Sequence, residues 1–84
     1  MKNIWAKIII KDKIKKDYVL KLDEFNINNL YEYLKEICYN LKIETPIILP
    51  KHSNQLSEFS TTKFFKEDFI DYIDFDKLVI TYYE

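Results

Sequence analysis

The sequence predicts a single α+β domain over residues 1–84, with one long helix packed on one face of a small, mostly antiparallel sheet. Two alternating apolar segments stand close together near the N-terminus, a third stands at the C-terminus, and an amphipathic helical pattern lies between them. The hydrophobic fraction of 48% is ample for a packed core. We therefore expect three or four strands in the order ββα…β.

The first two strands are predicted to form an antiparallel hairpin. Residues 3–11 alternate, and residues 17–22 alternate in the same way. The side chains expected to face inward are Ile4, Ala6, Ile8, Ile10, Tyr18, Leu20 and Leu22. The polar stretch from Asp12 to Lys16 is the expected turn. Because it has no Asn-Gly or Asp-Gly pair, we expect a loop longer than two residues.

Residues 27–42 predict an amphipathic helix. Its apolar residues recur at the spacing of one helical stripe: Ile27, Leu30, Leu34, Ile37, Cys38 and Leu41. Asn26 or Asn28 is expected to cap its start by accepting a backbone N–H bond. Thr45-Pro46 is expected to stop it, since the residue before proline avoids helical dihedral angles.

The second half of the chain predicts shorter elements. Ile47 to Leu49 is expected to be a short buried strand, residues 51–59 one or two helical turns, residues 66–72 another short turn, and residues 77–83 the last strand. The side chains expected in the core from this half are Leu56, Phe59, Phe64, Phe65, Phe69, Ile70, Ile73 and Phe75. In the last strand Leu78, Ile80 and Tyr82 alternate with Val79, Thr81 and Tyr83. Phe25 is expected there as well.

The composition excludes several classes of function. No glycine is present, so phosphate-binding loops and dinucleotide fingerprints are absent, and all 13 basic residues are lysine. The single cysteine and single histidine exclude an internal disulfide and a multi-histidine metal site. We predict no metal and no cofactor. No apolar stretch approaches the ~20 residues of a membrane span, so a cytoplasmic protein without membrane contact is expected.

The segment 66–76 is strongly acidic. A solvated amphipathic turn is one interpretation, and a divalent-cation site is a second, although the spacing differs from an EF-hand loop. A third interpretation is docking on a basic partner or imitation of nucleic-acid phosphates. The acids that we assign to partner binding are Asp68, Asp71, Asp74 and Asp76.

The chain has more aromatic residues than so small a core can bury. Tyrosine and tryptophan left at a surface are favoured interface anchors, so we assign Trp5, Tyr82 and Tyr83 to partner binding as well. Self-association through the Tyr82/Tyr83 edge, giving a homodimer, is the related hypothesis.

Four lysines cluster around the expected hairpin loop. Of these, Lys13, Lys15 and Lys16 are the residues that would contact phosphates if the protein bound nucleic acid directly. The same lysines are explained by a solvated loop whose charges keep a sheet edge from pairing with another chain. Asp12 and Asp17 lower the net positive charge of this lysine cluster.

His52 is the one candidate for acid–base chemistry, and with Lys51 and Thr62 it defines a candidate polar site. A hydrolase would need a nucleophile, and the candidates are Cys38 and the hydroxyls that lie nearby in the sequence, those of Ser53, Ser57, Thr61 and Thr62. Cys38 lies on the buried helix stripe, where a thiol is normally inert. A structural histidine that caps a turn is the favoured interpretation.

Several short motifs carry a family resemblance. They are Cys38 and Leu41, Pro46 and Leu49, Lys51-His52, Phe59, Thr62, Phe64, Asp68-Phe69, Asp74-Phe75-Asp76, Leu78, Lys7 to Asp12, and Lys16-Asp17. On these residues the chain resembles a family of small uncharacterised α/β proteins from clostridia and related Firmicutes. Ile48 stands where that family tends to have tryptophan, and Ser60-Thr61 where it tends to have Gly-Arg. The resemblance implies a compact cytosolic α/β protein and no particular activity.

The leading prediction is a non-enzymatic module that binds a protein partner. The surplus aromatics, the missing catalytic constellation and the charge distribution favour it, since residues 1–42 carry a net charge of +3 and residues 43–84 a net charge of −4. The alternative is a mobile-element inhibitor, similar to an anti-CRISPR protein, that blocks a nucleic-acid-handling enzyme. A second alternative is weak nucleic-acid binding through the hairpin lysines, and a hydrolase that uses His52 comes last.

Overall fold

The computed structural model of the protein describes residues 2–84. Its elements are β1 (Lys2–Ile10), β2 (Lys13–Leu22), α1 (Leu30–Leu41), α2 (Pro50–Phe59), β3 (Thr61–Phe65) and β4 (Lys77–Tyr83), with short 3-10 turns at Ile27–Asn29 and Lys66–Asp68. The strands form one antiparallel sheet in the order β2-β1-β4-β3. This confirms the predicted α+β class and adds α2 as a second helix.

The two faces of the sheet have different surroundings. The residues that one face buries beneath α1 and α2, which we call the helix face, are Ile4, Ala6, Ile8, Leu20, Thr62, Phe64, Leu78 and Ile80. The alternate residues of the same strands form the opposite, open face. None of the open-face residues among residues 2–84 is buried. The fold therefore leaves one surface of the sheet uncovered by the described chain.

The core differs from the sequence prediction at three aromatic or aliphatic positions. Phe59 is 65% exposed, Phe65 is 41% exposed and Ile70 is 79% exposed. Phe65 follows Phe64 in β3, and adjacent strand residues point to opposite faces, so only Phe64 reaches the core. Leu56 and Phe64 are buried as predicted.

A two-residue turn of Lys11 and Asp12 joins β1 to β2. Both residues have positive φ, at 52° and 65°, which is typical of a tight type I′ turn. The prediction of a longer loop before residue 17 was wrong. The Asp76 carboxylate compensates for the missing glycine, because its Oδ2 accepts the Lys11 N–H at 2.8 Å.

We expect the double variant Lys11→Asn and Asp12→Gly to stabilise the protein by about 1 kcal/mol, because these residues adopt positive φ at a lower steric cost. Urea unfolding followed by circular dichroism measures the change. The matched control is Asp23→Gly, at a position without positive φ, where added chain entropy should lower stability or leave it unchanged. A destabilised double variant would contradict the turn geometry.

Helix α1 follows the sequence pattern closely. Asn26 caps the preceding 3-10 turn, since its Oδ1 accepts the Asn28 N–H at 3.0 Å. The helix ends at Leu41 because Lys42 adopts a left-handed conformation with φ of 61°, so it stops before Thr45-Pro46. Ile27, the first residue of the predicted stripe, is half-buried in the 3-10 turn before α1, and the other five are buried: Leu30, Leu34, Ile37, Cys38 and Leu41.

The segment Ile47 to Leu49 is not a strand, and its burial was predicted wrongly. Ile47 is 46% exposed and Leu49 is also exposed. The Ile47 N–H donates to the Asp68 carbonyl at 2.7 Å. This bond connects the segment to the turn after β3 without the hydrogen-bond ladder of a β-sheet. Pro50 then opens α2, where its missing N–H is harmless in the first turn.

Candidate functional site

The His52 side chain is completely buried near the start of α2. Its Nδ1 accepts the Leu49 N–H at 2.9 Å, which satisfies a donor at the helix N-terminus. Its ring lies against Phe64, with ring centroids 4.1 Å apart. Because Nδ1 is an acceptor, the neutral imidazole carries its proton on Nε2. The structure therefore shows a histidine that caps a turn, as the sequence favoured.

Asp68 faces His52 from the 3-10 turn after β3. Its Oδ2 accepts the Phe65 N–H at 2.9 Å and lies 3.6 Å from His52 Nε2. Asp68 is only 4% exposed, so it is unable to reach a partner surface. Its assignment to partner binding was wrong, because the carboxylate is used inside the fold. The two side chains link the start of α2 to the end of β3.

Burial dominates the electrostatics of His52. Desolvation lowers the pKa of His52 below its usual 6.5, the charge of Asp68 acts in the opposite direction, and Lys51 lowers the pKa further. The imidazole is therefore neutral at pH 7. Its Nε2 has no hydrogen-bond partner within residues 2–84, since the Asp68 carboxylate lies beyond hydrogen-bonding distance.

The side chains that a hydrolase would need are not assembled around His52. The Ser53 hydroxyl donates to the Pro50 carbonyl at 3.1 Å, and the Thr62 hydroxyl donates to Gln55 Oε1 at 2.7 Å. Cys38 is buried, and burial raises the pKa of its thiol to about 12. Since Nδ1 accepts the Leu49 N–H and Nε2 has no hydrogen-bond partner, no hydroxyl or thiol within residues 2–84 bonds to the imidazole.

A groove runs between α2 and the outer edge of β3. It has a volume of about 310 Å³. It is lined by Lys51, Gln55, Phe59, Thr61, Thr62, Lys63 and Phe65. The structure therefore places two of the three predicted polar-site residues, Lys51 and Thr62, on one groove, with His52 buried in the same helix. The exposed Phe59 and Phe65, which sequence reasoning assigned to the core, form its apolar surface.

The open face has an aromatic centre. A depression on it is lined by Trp5, Asp17, Val19, Thr81 and Tyr83. The Trp5 Nε1–H donates to Asp17 Oδ2 at 2.9 Å, and Lys7 Nζ lies 4.2 Å from the centroid of the Trp5 ring. Trp5 is thus held in one orientation by a carboxylate and by a cation–π contact.

The open face is positively charged. Strand alternation and register place four lysines and one acid on it: Lys7, Lys21, Lys63, Lys77 and Asp17. Its net charge is therefore +3, whereas the whole chain carries −1. The sequence indicated a charge asymmetry between the two halves of the chain, but register was needed to collect these lysines on one surface.

Tyr82 and Tyr83 do not form a sheet edge. Strand β4 lies between β1 and β3, so the expectation that these residues form an edge was wrong, while the homodimer stays a prediction. Tyr82 points to the helix side and packs on Phe25, with ring centroids 4.3 Å apart. Tyr83 lies on the open face and is 41% exposed.

The remaining candidate residues are dispersed. Lys13, Lys15 and Lys16 belong to β2 and not to a loop, and the Lys16 ammonium donates to the Leu41 carbonyl at the end of α1, at 3.1 Å. Asp71 and Asp74 are exposed. Residues 2–84 contain no group of three or more histidine, cysteine, aspartate or glutamate side chains arranged to hold a metal ion.

The fold and these surfaces define a two-layer α+β protein with an uncovered sheet face. Comparison of the chain with models of protein families, with curated proteins and with solved structures gave no match. Neither helix of residues 2–84 is long and apolar enough to cross a lipid bilayer.

Proposed function

We propose that the protein is a non-enzymatic module that binds a protein partner on the open face of its sheet. The partner presents an apolar patch surrounded by acidic side chains. The observation that carries this proposal is the uncovered face itself, with Trp5, Val19, Thr81 and Tyr83 at its centre and lysines around them. Exposed apolar patches with polar rims are typical of interaction sites.

The composition of the patch favours a protein ligand. Tryptophan and tyrosine contribute large contact areas at little cost in side-chain entropy, and they dominate the energetics of many interfaces. The hydrogen bond of Trp5 to Asp17 fixes the indole before binding. A ring whose face is already contacted by Lys7 is a poor platform for stacking a nucleotide base.

The charge of the open face favours an acidic partner over a second copy of the chain. Two copies meeting through this face would bring two surfaces of net charge +3 together, and like charges at an interface are costly. An acidic rim on the partner would instead steer association and be sensitive to salt. The charge pattern therefore supports a hetero-complex.

The test is capture of proteins from host lysate on the immobilised protein, in parallel with two surface variants. Val19→Glu with Tyr83→Ser changes the open face, while Asp71→Lys with Asp74→Lys changes the exposed acids. We expect a stoichiometric partner that the first variant loses at least about tenfold and the second retains, because truncating interface anchors costs more than altering distant charges. Loss with only the acidic-segment variant, or no partner at all, would overturn the proposal.

A further inference from the structure

Strand β3 is an edge of the sheet, and its outer side faces a groove. Residues from both faces of the strand, Thr61 and Lys63 on one and Thr62 on the other, line the groove together with α2. Only the outer edge of a strand brings both of its faces to one cavity. The helix contributes Lys51, Gln55 and Phe59, which are spaced four residues apart and so share one helix face.

The pairing with β4 shows which backbone groups point into this groove. The Tyr82 N–H donates to the Ser60 carbonyl at 2.8 Å, so Ser60 occupies a hydrogen-bonded position opposite β4. Because such positions alternate along an antiparallel strand, Thr62 and Phe64 also bond to β4. The N–H and C=O groups of Thr61 and Lys63 therefore point outward.

The outward edge has a defined end. The Phe65 N–H, which would be the next outward donor, is already bonded to Asp68 Oδ2. The open stretch thus offers the backbone groups of Thr61 and Lys63 and closes at Phe65. A stretch of this length pairs with a short extended segment rather than with a long strand.

The side chains around the β3 edge indicate which side chains a segment paired with that edge would carry. Lys51 and Lys63 line the groove, no carboxylate lines it, and neither ammonium forms an ion pair within residues 2–84. The exposed rings of Phe59 and Phe65 provide apolar contacts. The groove is therefore complementary to a strand whose residues alternate between acidic and apolar side chains.

We propose that the groove between α2 and β3 binds an extended acidic peptide by strand addition, as a fifth strand beside β3. Main-chain hydrogen bonds to Thr61 and Lys63 would provide affinity, and the lysines and phenylalanines would select the side chains. A second copy of the chain fits the edge poorly, because antiparallel pairing of β3 with itself about its middle residue sets Lys63 against Lys63. This inference does not rest on the proposed function of the open face.

The test uses a fluorescein-labelled, acetylated peptide of about eight residues in which glutamate and valine alternate. Fluorescence anisotropy gives its affinity, and amide chemical shifts and hydrogen exchange locate its site. We expect the Thr61 and Lys63 amides to shift and to exchange at least about tenfold more slowly when a strand pairs with them. Methylating alternate peptide nitrogens should weaken binding at least about tenfold, because it removes the donors.

Variants of the protein complete the test. Lys63→Glu should weaken binding of the glutamate peptide at least about tenfold and reduce the preference for it over a lysine–valine peptide, since the charge of the groove falls from +2 to zero. Its matched control is Lys13→Glu, which makes the same change on β2 at the other edge of the sheet. The open-face variant Val19→Glu with Tyr83→Ser should bind the peptide as the wild type does.

Several results would overturn the inference. The first two are a methylated peptide, or a lysine–valine peptide, that binds the wild-type protein as tightly as the glutamate–valine peptide does. The others are amide shifts confined to the open face around Trp5, and no binding of the glutamate–valine peptide at about 1 mM. Reversible self-association of the free protein that protects the Thr61 and Lys63 amides would show that the edge serves a second copy.

Discussion

Replacing Asp68 by alanine is expected to lower the free energy of unfolding by about 1.5–3 kcal/mol, because the Phe65 N–H loses its charged acceptor inside the fold. Its Oδ2 accepts the Phe65 N–H at 2.9 Å and lies 3.6 Å from His52 Nε2. The alanine side chain has no acceptor for the Phe65 N–H, and it also removes the carboxylate that faces the His52 ring. Urea unfolding at pH 7, followed by circular dichroism, measures the loss.

Two further variants make the Asp68 experiment specific. Asp74→Ala removes an exposed carboxylate from the same segment and should change stability by no more than about 0.5 kcal/mol, as surface substitutions usually do. Asp68→Asn keeps an oxygen that can accept the Phe65 N–H, so its effect should be intermediate. Equal effects of Asp68→Ala and Asp74→Ala would contradict the structural role of Asp68.

Asp68 also shows why part of the site was beyond sequence reasoning. In the sequence it is one of five acids in a short run, and composition gives all five the same surface role. Its partner, His52, lies 16 residues earlier, and only the path of α2 and β3 brings them together. The local signal that could have found it is the spacing from Phe65 to Asp68, which matches the third position of a capping box.

The long periodic elements were predictable because each carries its own pattern. β1 and β4 alternate with period two, so their residues indicate a strand, and the apolar stripe of α1 indicates both the helix and its buried side. β3 has only five residues, and both Phe64 and Phe65 are apolar. Alternation over so short a segment leaves its inward side undetermined until the register with β4 is known.

The tight turn at Lys11 and Asp12 was missed for a different reason. Turn residues predict loop length only where the turn is stabilised locally, and here the Asp76 carboxylate, 65 residues away in the sequence, accepts the Lys11 N–H. The same limitation applies to both proposed binding surfaces. The open face and the β3 groove each depend on strand order, which the sequence left open.

Lowering the pH from 7 to 5 is expected to destabilise the protein through His52. Burial holds the pKa of His52 below its usual 6.5 in the folded state, despite the opposing charge of Asp68, and Lys51 lowers it further. The unfolded chain therefore binds a proton as the pH falls through about 6.5, while the folded protein does not. The contribution of His52 to stability is complete above that pH and is lost between the unfolded and the folded pKa.

The size of this effect follows from linkage, since one proton bound only by the unfolded chain gives a slope of at most about 1.4 kcal/mol per pH unit. His52 is the single histidine, so its ring signals in proton NMR report its pKa directly, and the expected midpoint lies below 6.5. The control is His52→Gln, which removes the titrating group and should flatten the dependence of unfolding free energy on pH between 7 and 5. A midpoint above 6.5, or an unchanged slope in His52→Gln, would show that burial does not control this imidazole.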